Sequence, residues 1–180
     1  MILMFGPAGA GKSLQGQILA ARHNWQWISV GAVLREQSDP AIKETLAHGD
    51  LLPGEVTNKL VAERLNRESD LSTVILDGYP RSLDQAEALV DYLGKRGNGA
   101  IDLVIVLDVG REEILRRLAK RGRSDDTPDA IAKRLDIFAE KGQKILDYLT
   151  DRDVWVERVA GNRTVGQVHD QIEEVVERLL

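Results

Sequence analysis

A chain of 180 residues is long enough to bury one substantial core and short for two. Its 29 Asp and Glu outnumber 24 Lys and Arg, and a net charge of −5 excludes a surface built to hold nucleic acid by phosphate attraction, though not a local basic pocket. The absence of cysteine excludes disulfides and thiolate zinc centres, and no apolar run approaches the roughly 20 residues of a membrane span. With no leader pattern at the start, a cytoplasmic protein without membrane or nucleic-acid partners is expected.

The first predicted element is a strand, Ile2-Leu3-Met4-Phe5. It runs into Gly6-Pro7-Ala8-Gly9-Ala10-Gly11-Lys12-Ser13, which fits G-x-x-x-x-G-K-[ST], and then into a helix over Lys12–His23. Strand, glycine loop and helix N-terminus aim several backbone N–H groups at one point, where a polyphosphate would sit. Lys12 would reach the β- and γ-phosphates and Ser13 would face Mg2+. A second strand is expected over Trp27–Val30, with Trp25 and Trp27 flanking it. Helices are expected over Asp39–His48 and Gly54–Glu68, in a long connection broken at Gly31 and Gly49 that forms a small subdomain over residues 30–58.

The third strand, Ser72–Asp77, ends in Asp77-Gly78-Tyr79-Pro80-Arg81. Ligands in open α/β sheets bind beyond the carboxyl ends of the strands, so Asp77 is placed to hold Mg2+ directly or through water. Arg81 offers a planar fork suited to phosphate. Ser82 reads as the N-cap of a helix to Lys95, with Gln85 completing a capping box and Gly94, Gly97 and Gly99 ending it. A fourth strand, Leu103–Asp108, precedes a helix over Gly110–Lys120. Arg117 and Arg121 share a face of that helix, and Arg123 and Arg134 follow around a reversal at Gly122. Thr127-Pro128 reads as N-cap and first helical residue of a helix to Leu149. Strand Val154–Val159 and helix Thr164–Leu180 close the chain. His23, His48 and His169 are scattered and read as surface or core. Val-, Ile- and Leu-rich strands alternating with helices predict a three-layer α/β fold with a parallel sheet.

These residues carry a resemblance to the adenylate kinases and their nucleoside monophosphate kinase relatives, spanning nearly the whole chain in the right order. Gly6–Gln15 looks like the family's glycine loop, and Ile28–Arg35 and Gly49–Pro53 like its two monophosphate segments. Leu76-Asp77-Gly78-Tyr79-Pro80-Arg81 with Gln85 is similar to its most specific signature, and Arg121–Asp126 with Arg134 to its lid and second arginine set. The resemblance implies a five-stranded P-loop fold in order 2-3-1-4-5 and the reaction MgATP + AMP ⇌ MgADP + ADP, without a general base. It further implies that Gly6, Ala8, Gly9, Ala10, Gly11, Lys12, Ser13 and Leu14 hold the ATP phosphates. Arg117 would stack on the ATP adenine, with Gly161 and Arg163 bordering that base. Ser29, Val30, Arg35, Leu51, Leu52, Gly78, Arg81 and Gln85 would form the AMP site, and Arg121, Arg123 and Arg134 would surround the transferred group. The implied cofactor is Mg2+ with ATP, without zinc, in a monomer.

The chain departs from the family pattern in three places. Ser13-Leu14 stands where Gly-Thr is usual, and Val30 and Ala32 stand where Thr and Asp are frequent. The lid shrinks to residues 121–126, from which slow ATP hydrolysis without AMP is expected. Kinases for UMP, CMP or GMP, small-metabolite kinases and a nucleotide-binding module without turnover stand as alternatives.

Overall fold

The computed structural model describes residues 1–97 and 99–180. The chain runs β1 (Ile2–Phe5), α1 (Lys12–His23), β2 (Gln26–Ser29), α2 (Val30–Arg35), α3 (Pro40–Ala47), α4 (Gly54–Leu65) and β3 (Val74–Asp77). It continues through α5 (Leu83–Arg96), β4 (Leu103–Asp108), α6 (Arg111–Arg121), α7 (Pro128–Thr150), β5 (Trp155–Ala160) and α8 (Val165–Glu177). All strand pairs are parallel, in the order β2-β3-β1-β4-β5. This is the expected architecture.

The continuous apolar strands follow from burial on both faces. Along β1, Leu3 and Phe5 join the core under α4, α5 and α7, with Leu65, Leu89 and Ile145. Ile2 and Met4 face the other core, with Leu19 of α1 and Val168 and Ile172 of α8. A third cluster, Ile114, Leu118, Ile131 and Leu135, fastens α6 to α7. The chain visits β2 and β3 on one side of β1 before crossing to β4 and β5 on the other. Its connections therefore diverge at the carboxyl end of β1, where a crevice opens.

Local chemistry sets the boundaries. Thr127 caps α7 by accepting from the Ala130 N–H at 3.2 Å, with Pro128 in the first turn. Four expectations are corrected. Residues 30–35 are helical, so Gly31 lies inside α2 rather than breaking the chain: the Ser29 hydroxyl accepts from the Ala32 N–H and starts a helix where the strand was expected to end. Ser72 is spent in a turn, its N–H and hydroxyl both donating to Asp70, so β3 begins at Val74. Gly94 lies within α5, and the left-handed Gly97 is the cap. No capping box forms at Ser82, because the Gln85 side-chain oxygen accepts from the Arg81 N–H, one residue earlier.

Candidate active site

The glycine loop is clamped between two neighbours. At Gly6, with φ +138°, a Cβ would come within 2.9 Å of the Leu107 carbonyl; at Gly9, with φ +84°, within 2.9 Å of Leu118 Cγ. Only glycine permits both the backbone conformation and the approach. Lys12, at the start of α1, folds back across the loop and donates to the carbonyls of Gly6 at 2.8 Å and Pro7 at 2.9 Å. Burial pulls its ammonium down to about 8; Arg81, Arg121 and Arg123 add to the shift, and Asp77 opposes it.

Ser13 donates its hydroxyl to Asp77 Oδ2 at 2.5 Å. Asp77 is buried at the end of β3, in register with Met4 on one side and Ser29 on the other. The following loop is built on Tyr79, whose hydroxyl lies 2.8 Å from Asn58 Oδ1 and 3.0 Å from the Gln85 carbonyl and shares its one proton between the two acceptors. Arg81 Nε donates back to the Gly78 carbonyl at 2.8 Å. Gly31 and Gly78 face each other here. A Cβ on Gly31 would stand 3.3 Å from the Arg35 guanidinium, and one on Gly78 would stand 3.3 Å from that of Arg81. Two guanidiniums thus converge over a wall without side chains. Burial, with the charges of Arg134, Arg35 and Arg121, pushes the proton affinity of Arg81 down, against the pull of Asp77.

The remaining arginines come from α6, α7 and the turn between them. Arg117 braces three segments, donating to Glu113 at 2.6 Å, the Ala10 carbonyl at 3.1 Å and the Gly161 carbonyl at 2.7 Å. Arg121 is bidentate on Asp126, and Arg134 donates to Asp126, Asp125 and the Leu46 carbonyl. The side chain of Asp126 is only 3% exposed. Burial opposes its charge, but the hydrogen bonds from Arg121 and the neighbouring Arg134 and Arg123 prevail and hold its carboxyl below the usual range.

These groups line one cleft of about 410 Å³, within the range of small-molecule sites. Seven of the chain's 24 Lys and Arg line it (Lys12, Arg35, Arg81, Arg117, Arg121, Arg123 and Arg134), but only three of its 29 Asp and Glu. A strongly basic pocket therefore sits inside an acidic protein. Gly6, Ala8, Gly9, Gly11, Ser13, Leu14, Ser29, Leu51, Gly78 and Asp77 also line it. Six expected residues do not. Ala10, Val30 and Leu52 are core side chains, and Gln85 is 2% exposed and occupied with Arg81. Gly161 is buried and reaches the cleft through Arg117, and Arg163 is exposed outside the lining. Sequence reasoning missed the apolar floor from α7, including Ile137, Phe138, Gly142 and Ile145. The available signal was Gly142, a glycine in the middle of a long helix, where a Cβ would stand 3.3 Å from the Phe138 ring.

Two comparisons bear on this cleft. The family model for adenylate kinase matches residues 4–154. The chain is 40% identical to an adenylate kinase of Mycobacterium leprae over 153 residues, which cover 82% of this chain and 84% of the relative. It is 40% identical to those of Mycobacterium tuberculosis and Mycobacterium bovis over 157 residues, covering 84% of this chain and 86% of each. A match of this extent, which takes in the glycine loop, the Asp77 loop and the arginines of α6 and α7, means that the chain belongs to the adenylate kinase family.

Proposed function

We propose that the chain catalyses MgATP + AMP ⇌ MgADP + ADP. The observation that carries this reading is the convergence of two phosphate-directed groups on one cleft. The glycine loop with Lys12 supplies one, and Arg35 with Arg81 the other, while Arg121, Arg123 and Arg134 come from the α6–α7 side. A site for a single nucleotide has no use for the second set.

An oxygen of the AMP phosphate attacks the γ-phosphorus of ATP as the bond to the β–γ bridging oxygen breaks. The metaphosphate-like group passes to AMP, leaving ADP on both sides. A phosphate monoester has its second pKa near 6, so the nucleophile is ionised at neutral pH and needs no base. The residues hold two polyanions in line and neutralise charge at the transferred group. Lys12 and the loop amides take the ATP phosphates, Ser29, Arg35, Leu51, Gly78 and Arg81 the AMP, and Arg121, Arg123 and Arg134 the group between. Arg117, braced against Ala10 and Gly161, presents its guanidinium to the adenine of ATP. We assign Gln85 to the AMP side through Arg81, whose N–H its side-chain oxygen holds.

A hydroxyl beside a buried carboxylate, as at Ser13 and Asp77, is an all-oxygen donor set that fits the hydrated Mg2+ of MgATP. Held by Ser13 and Asp77, the cation would supply positive charge to neutralise the ATP phosphates during transfer. We take residues 30–58 as the monophosphate-binding segment and residues 121–126 as a minimal lid. We take the enzyme to act as a monomer and place it in the cytoplasm with its nucleotides.

The test is a coupled ADP assay with MgATP and AMP, GMP, CMP or UMP in turn. Rapid ADP formation with AMP alone is expected. A preference for another monophosphate would move the substrate, and no acceleration by any of them would overturn the reading.

A further inference from the structure

The wall of the cleft formed by the α3–α4 connection is held against α7 at three points. Gly49, with φ +76°, brings its backbone so close that a Cβ would stand 2.6 Å from the Ala130 carbonyl. Arg134 Nη2 donates to the Leu46 carbonyl at 2.9 Å. Lys133 Nζ pairs with Asp50 Oδ1 at 2.5 Å. The three contacts differ in what happens to them when phosphate arrives. The Gly49 contact is steric and does not attract. Arg134 already divides its guanidinium among Leu46, Asp125 and Asp126, so a phosphate competes with all three. Lys133 lies one residue before Arg134 on α7 but outside the cleft lining; its partner Asp50 does line the cleft, yet a carboxylate takes no phosphate, so the pairing makes no demand on a phosphate-binding group.

We infer that Lys133 and Asp50 are positioning residues for the monophosphate. The pair keeps the end of α3, with Leu46, and the connection after it, with Gly49 and Leu51, against α7 while Arg134 turns from Leu46 to the reacting phosphates. The inference rests on the proposed reaction, since it assigns the pair to the AMP side of that cleft. Both side chains are nearly half exposed, at 48% and 41%, so the tie is weak and screened by salt. Weakness suits a contact that must break each time product leaves.

The test is steady-state kinetics with AMP varied at saturating MgATP, for the wild type, Lys133→Gln, Asp50→Asn and the swapped pair Asp50→Lys with Lys133→Asp. Each single variant is expected to raise the KM for AMP about two- to fivefold, the range of an exposed ion pair. The KM for MgATP should not move, and the difference from wild type should narrow at high salt. The swapped pair should recover most of the loss, which a merely structural role of either residue does not predict. Single variants with an unchanged KM for AMP, or a swapped pair as impaired as the singles, would overturn the inference while leaving the reaction intact. A wild type that forms no ADP in response to AMP would remove the reaction and the inference with it.

Discussion

Lys12 is held where its own charge is disfavoured. Its proton affinity drops from an ordinary 10.5 to about 8 because burial, reinforced by three arginines, penalises the ammonium. Below pH 8 folded and unfolded chains both carry the proton, and the penalty is fully present, on the order of 3 kcal/mol. Between pH 8 and 10.5 the unfolded chain binds the proton and the folded chain releases it, so this contribution rises in favour of folding. Lys12→Met should therefore melt no lower than wild type without nucleotide, and its advantage should fade above pH 8; a lower melting temperature at pH 7 would contradict this. The same variant should lose about 10³-fold in turnover, the usual scale for removing a preorganised charge. Since kcat/KM reports the free enzyme, its value for MgATP should fall above pH about 8 as Lys12 loses its proton; a flat profile to pH 9.5 would exclude that assignment. Asp126 works through its neighbours. With Asp126→Ala, Arg121 loses both of its hydrogen bonds to that carboxylate and Arg134 one of three. Turnover should drop about tenfold or more in a coupled assay, against little change in the KM for MgATP.

The elements meet at the glycine loop, and its tolerance is set by contact rather than by chemistry. Gly9→Ala places a methyl group against Leu118 in a conformation unsuited to an L-residue, and should cost about 1–3 kcal/mol in a denaturant melt. Gly122, with φ +65° and open space around its Cβ position, lacks the steric half of that penalty; Gly122→Ala should cost less than Gly9→Ala in the same melt. The elements were legible in the sequence where local chemistry and burial agree. β1 and β4 are apolar on both faces and bounded as expected, and the Thr127-Pro128 start of α7 follows from capping alone. α2 was not legible, because Val30-Gly31-Ala32-Val33 extends an apolar strand pattern and only the Ser29 cap tips it into a helix. Gln85 was misplaced for a related reason: its spacing from Ser82 suits a capping box, but the tertiary demand to hold the Arg81 loop prevails.

At the scale of the molecule, most cations of the cleft were readable from motifs, while its floor was not. Ile137, Phe138 and Ile145 have the spacing of any buried helix face, and only tertiary placement turns part of that face toward the cleft. The turn between α6 and α7 is short, with Gly122 capping α6 and Thr127 already capping α7. So small a cover should admit water to the ATP phosphates, and at high enzyme concentration MgATP alone should yield ADP slowly; no detectable ADP would mean that the site is screened by other means. The imbalance of charge between the cleft and the rest of the surface has a kinetic consequence. Outside the cleft acidic residues outnumber basic ones while the cleft itself is cationic, so the net field disfavours ATP and AMP at large and biases their diffusion toward the productive mouth. Association rates of both nucleotides should therefore fall as ionic strength rises, while their dissociation rates change less.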